Sequence, residues 1–235
     1  MKHIEKQTSC EDCVSNAKSI FKHLNKEEFN ILLTKKSCIY HKKGTIIYHE
    51  GNRMNGIYCV NQGIIKLYKT GIEGREQIIK FAKFGDIIGY RSVLSGEIAC
   101  TTAKIIEDSI VCFIPSDALF SIIRNNPNFS ISLMQLICKE LGEANSFITD
   151  IAQKSVRERL AEVLLILKNT FKLDNNNTLQ ILLTREELAN MIGTATESVI
   201  RLLSEFKDDK LIELNGRKIK IINLKGLMKI ANFYE

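Results

Sequence analysis

The sequence predicts an α+β chain in three parts: a sheet-built N-terminal region, one long helix, and a C-terminal helix pair followed by a hairpin. Three observations predict it. Short apolar runs alternate with glycines from Cys38 to Pro115, apolar residues recur at spacings of three and four between 128 and 151, and two Thr-x-x-Glu starts flank a glycine beyond residue 183. With 235 residues, 45% of them hydrophobic, the chain is long enough to bury one large core or two smaller ones.

The first region reads as strands. The stretches KKGTIIYHEGN, GIYCVNQGIIKLYKTG, EGREQIIKFAKFGDIIGY and TTAKIIEDSIVCFIP each offer strands of about four to six residues, with glycines such as Gly44, Gly63 and Gly85 read as turns. Evenly spaced short strands of this kind predict an antiparallel roll, sandwich or small barrel. Ahead of it, SIFKHLNKEEFNILLTKKS is an amphipathic helical stretch in which Asn25 is suited to a cap.

After Pro115 the period changes from two to 3.6. SDALFSIIRNNP predicts a short helix and residues 128–151 a long one. On the long helix Met134, Ile137, Leu141, Ala144, Ile148 and Ile151 form an a/d seam over about three heptads, flanked by Lys139, Glu140, Glu143 and Asp150. A narrow seam with charged flanks predicts a coiled-coil homodimer. SVRERLAEVLLILKNT is a further helix, and the Asn-rich stretch 174–178 a loop. The expected division is an N-terminal segment 1–37, a roll 38–126, the dimer helix 127–152 and a DNA-binding domain 153–235.

LTREELANMIGTATESVIRLLSEFK carries the most specific pattern. Thr184 with Glu187 makes a capping box, Gly193 suits a tight turn, and Thr194 with Glu197 repeats the box. Two short helices about such a turn are a helix-turn-helix. LIEL-NGRK-IKII then reads as a hairpin about a type I′ Asn-Gly turn, so the unit is a winged helix. Thr196, Glu197, Ile200 and Arg201 share a face of the second helix. Arg201 is suited to guanine O6 and N7, Glu197 to cytosine N4, and Thr196 to a thymine methyl. Ser198, together with Thr184, Arg185, Arg217 and Lys218 at the helix start and wing, is suited to the phosphates of double-stranded DNA.

In the order GDIIGY, EDSIVCFIP, SVRERLAEVL and LTREELANMIGTATESVIRLL, these stretches resemble the cyclic-AMP receptor protein / fumarate–nitrate reduction regulator (CRP/FNR) family over nearly the whole chain. The resemblance implies a cyclic-nucleotide-binding-like β-roll, a dimerisation helix and a winged helix-turn-helix. It also implies a homodimeric regulator that binds a two-fold-symmetric promoter site, contacts RNA polymerase and acts as an activator. Glu197 and Arg201 match the family's E-x-x-x-R, and Thr196 stands where the cyclic-AMP branch has arginine. In that branch a Gly-Glu pair and an Arg-Ser or Arg-Thr pair hold the nucleotide. Gly89-Tyr90 and Ala99-Cys100 stand there instead, so cyclic AMP is not expected, and Gly89, Tyr90, Cys100 and Thr101 are left as the ligand pocket. An alternative reading is a cyclic-nucleotide-binding-like module that senses an unidentified small ligand.

The FNR-like branch holds a [4Fe–4S] cluster on three N-terminal cysteines and one from the roll. Cys10, Cys13 and Cys112 match three of the four positions, and Ser19 occupies the fourth. An iron–sulfur cluster, zinc, a Cys10–Cys13 dithiol and no cofactor all stay open, so the cofactor is unknown. The other cysteines, Cys38, Cys59, Cys100 and Cys138, read as small buried hydrophobes, and a disulfide framework is not expected.

A net charge of +6 is compatible with a nucleic-acid partner without establishing one. The four histidines form no zinc-binding spacing, and neither G-x-S-x-G nor a P-loop occurs, so an enzyme is not expected. No apolar run approaches the ~20 residues that cross a bilayer, and the opening decapeptide lacks a signal-peptide core. A cytoplasmic location with no membrane partner is therefore expected.

Overall fold

The computed structural model describes residues 19–232. It divides into two compact units, residues 1–140 and 141–235, each with its own core.

In the first unit, Ser19 caps a 3₁₀ turn, its hydroxyl accepting from the Phe21 N–H. Helix α1 (Lys26–Lys35) starts at a capping box in which Asn25 accepts from the Glu28 N–H and Glu28 accepts from the Asn25 N–H. The sheet follows as β1 (Ser37–His41), β2 (Ile46–Tyr48), β3 (Gly56–Thr70), β4 (Glu76–Ala82), β5 (Ile87–Ile88) and β6 (Thr102–Pro115). Its order is β1-β6-β3-β4, with β2 on β6, β5 on β3 and every pairing antiparallel.

Two strands are longer than the glycine pattern predicts: β3 has 15 residues and β6 has 14. Gly63 is the reason. The pattern puts it at a turn, yet it lies inside β3 with φ +88°, where the β3–β6 register slips. A Cβ there would fall 2.1 Å from Ser109 Oγ and 2.6 Å from the Asp108 carbonyl oxygen. Only glycine permits that bulge, which bends one long ladder instead of ending two short ones. Strand β1 also precedes the first predicted strand.

Helix α2 (Tyr90–Ser95) interrupts the sheet, and α3 (Ser116–Asn125) leads into α4 (Pro127–Gln153), close to the predicted 128–151. At its start α4 buries Phe129 and Leu133 in a core shared with Ile57, Tyr90, Cys112, Leu119 and Phe21.

The second unit contains α5 (Val156–Phe171), which begins at a Ser155–Glu158 capping box. It continues through α6 (Arg185–Ile192), α7 (Thr196–Asp208), β7 (Ile212–Asn215), β8 (Lys218–Ile221) and α8 (Leu224–Ile230). Leu160, Leu164, Leu167, Leu188, Val199, Leu203 and Phe206 form its interior, each at most 1% exposed. The Asn-rich segment is a turn in which the Asp174 carboxylate accepts from the N–H groups of Asn176 and Thr178. Among the described residues no helix is long and apolar enough to cross a membrane.

Candidate functional site

Helix α6 begins as predicted. Thr184 Oγ1 accepts from the Glu187 N–H at 3.0 Å, the Glu187 carboxylate accepts from the Thr184 N–H at 2.8 Å, and Gly193 closes the helix with φ +73°. Helix α7 departs from the prediction. Its N-cap is Ala195 with no side-chain cap, so the Thr194–Glu197 capping box does not form. The pattern matched, but the helix starts one residue later, which leaves the Glu197 carboxylate exposed rather than folded back on the backbone.

Burial on α7 divides the helix. Val199, Leu202, Leu203 and Phe206 pack inward, whereas Glu197, Ile200 and Arg201 face solvent and Thr196 and Ser198 lie half-buried beside them. The Arg201 side chain is 75% exposed, and Glu205, 3.9 Å away, is its nearest acid. Glu205 is already held by Arg157. One guanidinium nitrogen of Arg157 lies 3.1 Å from Glu205, a second lies 2.6 Å from Asp209, and the plane covers the Phe206 ring at 4.8 Å. Arg157 therefore fixes α7 against α5 and leaves the Arg201 fork available for a base edge. The sequence reading missed this brace, because its partners lie 48 and 52 residues away.

The wing turn also differs from the prediction. Asn215 pairs with Lys218, so Gly216 and Arg217 are the central residues. Only Gly216 has positive φ, +57°. That is the type II′ pattern, with glycine first, rather than type I′. Arg217 and Lys218 are exposed at the tip, whereas Lys220 is paired with Glu213 across the hairpin at 3.0 Å. Arg185 reaches the wing: its Nη2 donates to the Gly216 carbonyl oxygen at 2.9 Å, and burial lowers its pKa.

On α4 the predicted seam is exposed: Met134 55%, Ile137 39%, Leu141 61%, Ile148 65% and Ile151 44%, with Ala144 also exposed. Phe129 and Leu133, nearer the start of the helix, are buried in the core of the roll. Helix α4 is therefore buried at its N-terminal end and carries an exposed apolar stripe beyond it.

In the roll, Gly89 (φ +78°), Tyr90, Cys100 and Thr101 line a cavity of about 100 Å³ with Tyr48, Lys80 and Glu140. The Tyr90 ring is 4% exposed, and burial, reinforced by the neighbouring Glu140 carboxylate, pushes its pKa far up. Lys80 on β4 pairs with Glu140 on α4 at the cavity edge. A cavity of this size is well below the ~300 Å³ at which small-molecule sites begin. Its polar lining comprises Tyr90, Arg91, Ser92, Thr101 and the paired Lys80 and Glu140.

Cys10 and Cys13 lie outside the described residues. Cys112 is joined to Cys38 in a disulfide across β1 and β6, which corrects the expectation that the roll cysteines are separate hydrophobes. Ser19, at the remaining ligand position of the resemblance, is 1% exposed and engaged as a helix cap. A disulfide sulfur is not a thiolate donor, and a buried capping hydroxyl does not face a metal. The described residues in this state therefore do not fit a four-ligand cluster, and among them no group of three or more His, Cys, Asp or Glu residues is placed to hold a metal.

Residues 38–126 match the cyclic nucleotide-binding domain and residues 158–230 the Crp-like helix-turn-helix domain. The chain is 28% identical to the fumarate and nitrate reduction regulatory protein of Vibrio cholerae over 227 residues, covering 94% of this chain and 90% of the relative. The Escherichia coli K12 protein of that name is also 28% identical, over 228 residues with the same coverage. In fold the chain is similar to a CRP/FNR-family regulator of Thermus thermophilus (TM-score 0.71, 23% identity, 83% of this chain and 98% of that one). It is likewise similar to FixK2 of Bradyrhizobium japonicum (TM-score 0.73, 23% identity, 83% and 96%). A nucleotide-binding-type roll followed by a DNA-reading winged helix-turn-helix defines a transcription regulator rather than an enzyme. The chain belongs to the CRP/FNR family of such regulators.

Proposed function

We propose that this regulator binds a two-fold-symmetric promoter site as a homodimer, reading bases with Glu197, Ile200 and Arg201 and holding phosphates with Thr184, Ser198, Arg217 and Lys218. The observation that carries the reading is the exposed, braced face of α7 beside a cationic wing tip. Dimerisation rests on the stripe Met134–Ile137–Leu141–Ala144–Ile148–Ile151, whose large members stay wet in a single chain. An apolar stripe of that length is otherwise an aggregation liability. As an activator the dimer also touches RNA polymerase. Arg185 belongs to the interface indirectly, through its hold on the wing.

The roll does not bind cyclic AMP, since Tyr90 and Ala99-Cys100 stand where the responsive branch carries its carboxylate and its arginine-hydroxyl pair; it responds instead to redox state through its cysteines. The cavity itself favours a second reading, a module that senses a ligand of a few heavy atoms between Tyr90, Thr101 and the Lys80–Glu140 pair. A mobility-shift titration of the whole chain over a salt series tests the DNA reading. Affinity that falls steeply with salt and differs between duplex sequences supports it. Equal, weak binding to every duplex removes it.

A further inference from the structure

The Cys38–Cys112 bond joins edge strand β1 to central strand β6, and Cys112 is in register on its other side with Cys59 of β3. Directly opposed residues on antiparallel strands project to the same face. Three sulfur side chains therefore cross the sheet in one row. Cys59 and Cys112 lie in the core that also holds Phe129 and Leu133 of α4, and Cys38 packs against it. Access is graded: Cys112 is 5% exposed and Cys59 4%, whereas Cys38 is half-buried on the open edge.

We propose that this row is a thiol–disulfide site through which oxidation changes the seat of α4; this deepens the redox reading above and rests on it. The Cys38 thiolate attacks one sulfur of a low-molecular-weight disulfide, forming a mixed disulfide and releasing one small thiolate. The Cys112 thiol, after losing its proton to water, attacks the Cys38 sulfur and expels the second. Two protein thiols and one small disulfide become one protein disulfide and two small thiols, so electrons and protons balance with no further reactant. Half-buried Cys38, on the open edge, is the entry point and buried Cys112 the resolving thiol. The closed bond pins β1 to β6 inside the core that seats Phe129 and Leu133. The open form leaves the edge strand held by its backbone ladder and the Tyr40–Asp108 hydrogen bond, with no covalent tie to β6. A disulfide at Cys112 also excludes cluster ligation by that sulfur.

The test poises the full-length chain in mixtures of reduced and oxidised glutathione. Each sample is alkylated for peptide mass spectrometry and titrated against a duplex that the protein has itself selected from a random pool. The cross-linked Cys38–Cys112 peptide is expected to rise with oxidation, and duplex affinity to move with it by about 5-fold or more. Cys38→Ser, at a half-exposed edge position, should bind like the reduced wild type and show no change across the mixtures. The double variant Cys10→Ser/Cys13→Ser should keep the response. Absence of the cross-linked peptide in every mixture overturns the proposal, as does a cross-link without a change in affinity, or a response that persists in Cys38→Ser. If no form selects any duplex, the DNA-binding reading has failed and the switch falls with it. Unchanged affinity for a selected duplex overturns the switch alone.

Discussion

Arg185, the first residue of α6, donates from Nη2 to the carbonyl oxygen of Gly216 at the wing tip, so one hydrogen bond ties the start of the helix-turn-helix to its β-hairpin. The guanidinium is partly buried, which strengthens a bond to a carbonyl and raises the cost of losing it. Arg185→Ala should lower DNA affinity about 3–10-fold, the equivalent of one hydrogen bond. Because Gly216 presents no base-reading group, base preference should stay unchanged. Titration against a selected duplex and its single-base variants measures both.

Arg201 and Lys218 should separate by what they read. Arg201→Ala is expected to cost about 1–3 kcal/mol of discrimination at one G·C pair per half-site. Lys218→Ala should weaken all duplexes alike and reduce the salt slope by about one. Loss of base preference in Lys218→Ala, or its retention in Arg201→Ala, would reverse the assignment.

Leu141 and Ile148 are 61% and 65% exposed on α4, so a charge at either costs a single chain little. In a dimer seam each buries an apolar side chain, about 1.5–3 kcal/mol apiece. Leu141→Glu and Ile148→Glu should therefore shift sedimentation from dimer to monomer while far-UV circular dichroism stays unchanged. A monomeric wild type would contradict the seam.

His41 on β1 is half-buried, and burial lowers its pKa from the usual 6.5. The fold therefore favours the neutral ring. The stability it contributes is fully present above the unfolded pKa and is lost as pH falls through the lower, folded one. The urea midpoint should drop between pH 7.5 and pH 5, and His41→Gln should flatten that dependence. An unchanged slope in the variant would place the dependence elsewhere.

Saturating cyclic AMP should leave the thermal midpoint unmoved. A ligand present at 100 times its Kd would add about 2.7 kcal/mol, a shift readily seen by calorimetry. Protein isolated with the Cys38–Cys112 bond closed should yield well under one cluster per chain in an iron and sulfide assay, because Cys112 and Ser19 are then both engaged.

Much of this architecture is legible in sequence wherever its cause is local. The Thr184–Glu187 box and the apolar repeat along α4 are each set by residues three or four apart. Local matching also misleads. Thr194 and Glu197 have the same spacing as Thr184 and Glu187, yet the chain enters α7 at Ala195 and the box stays open. Gly63 looks like a turn because its reason for being glycine, the approach of Ser109 and Asp108, comes from the other end of the sheet. The contacts hidden from sequence are those set by register and tertiary packing. They include Cys38 with Cys112, 74 residues apart, Arg157 with Glu205 and Asp209, and Arg185 with Gly216. The candidate bases-and-phosphates face was therefore readable as a list of residues, while the braces that aim it were not.

The central claim, a dimer that reads DNA through α7, is tested most directly by selecting duplexes from a random pool with the full-length protein and sequencing the survivors. The account predicts a two-fold-symmetric motif with a G·C pair in each half-site, bound by two chains per duplex, whose G·C preference disappears in Arg201→Ala. An asymmetric motif, one chain per duplex, or no enrichment at all would contradict it.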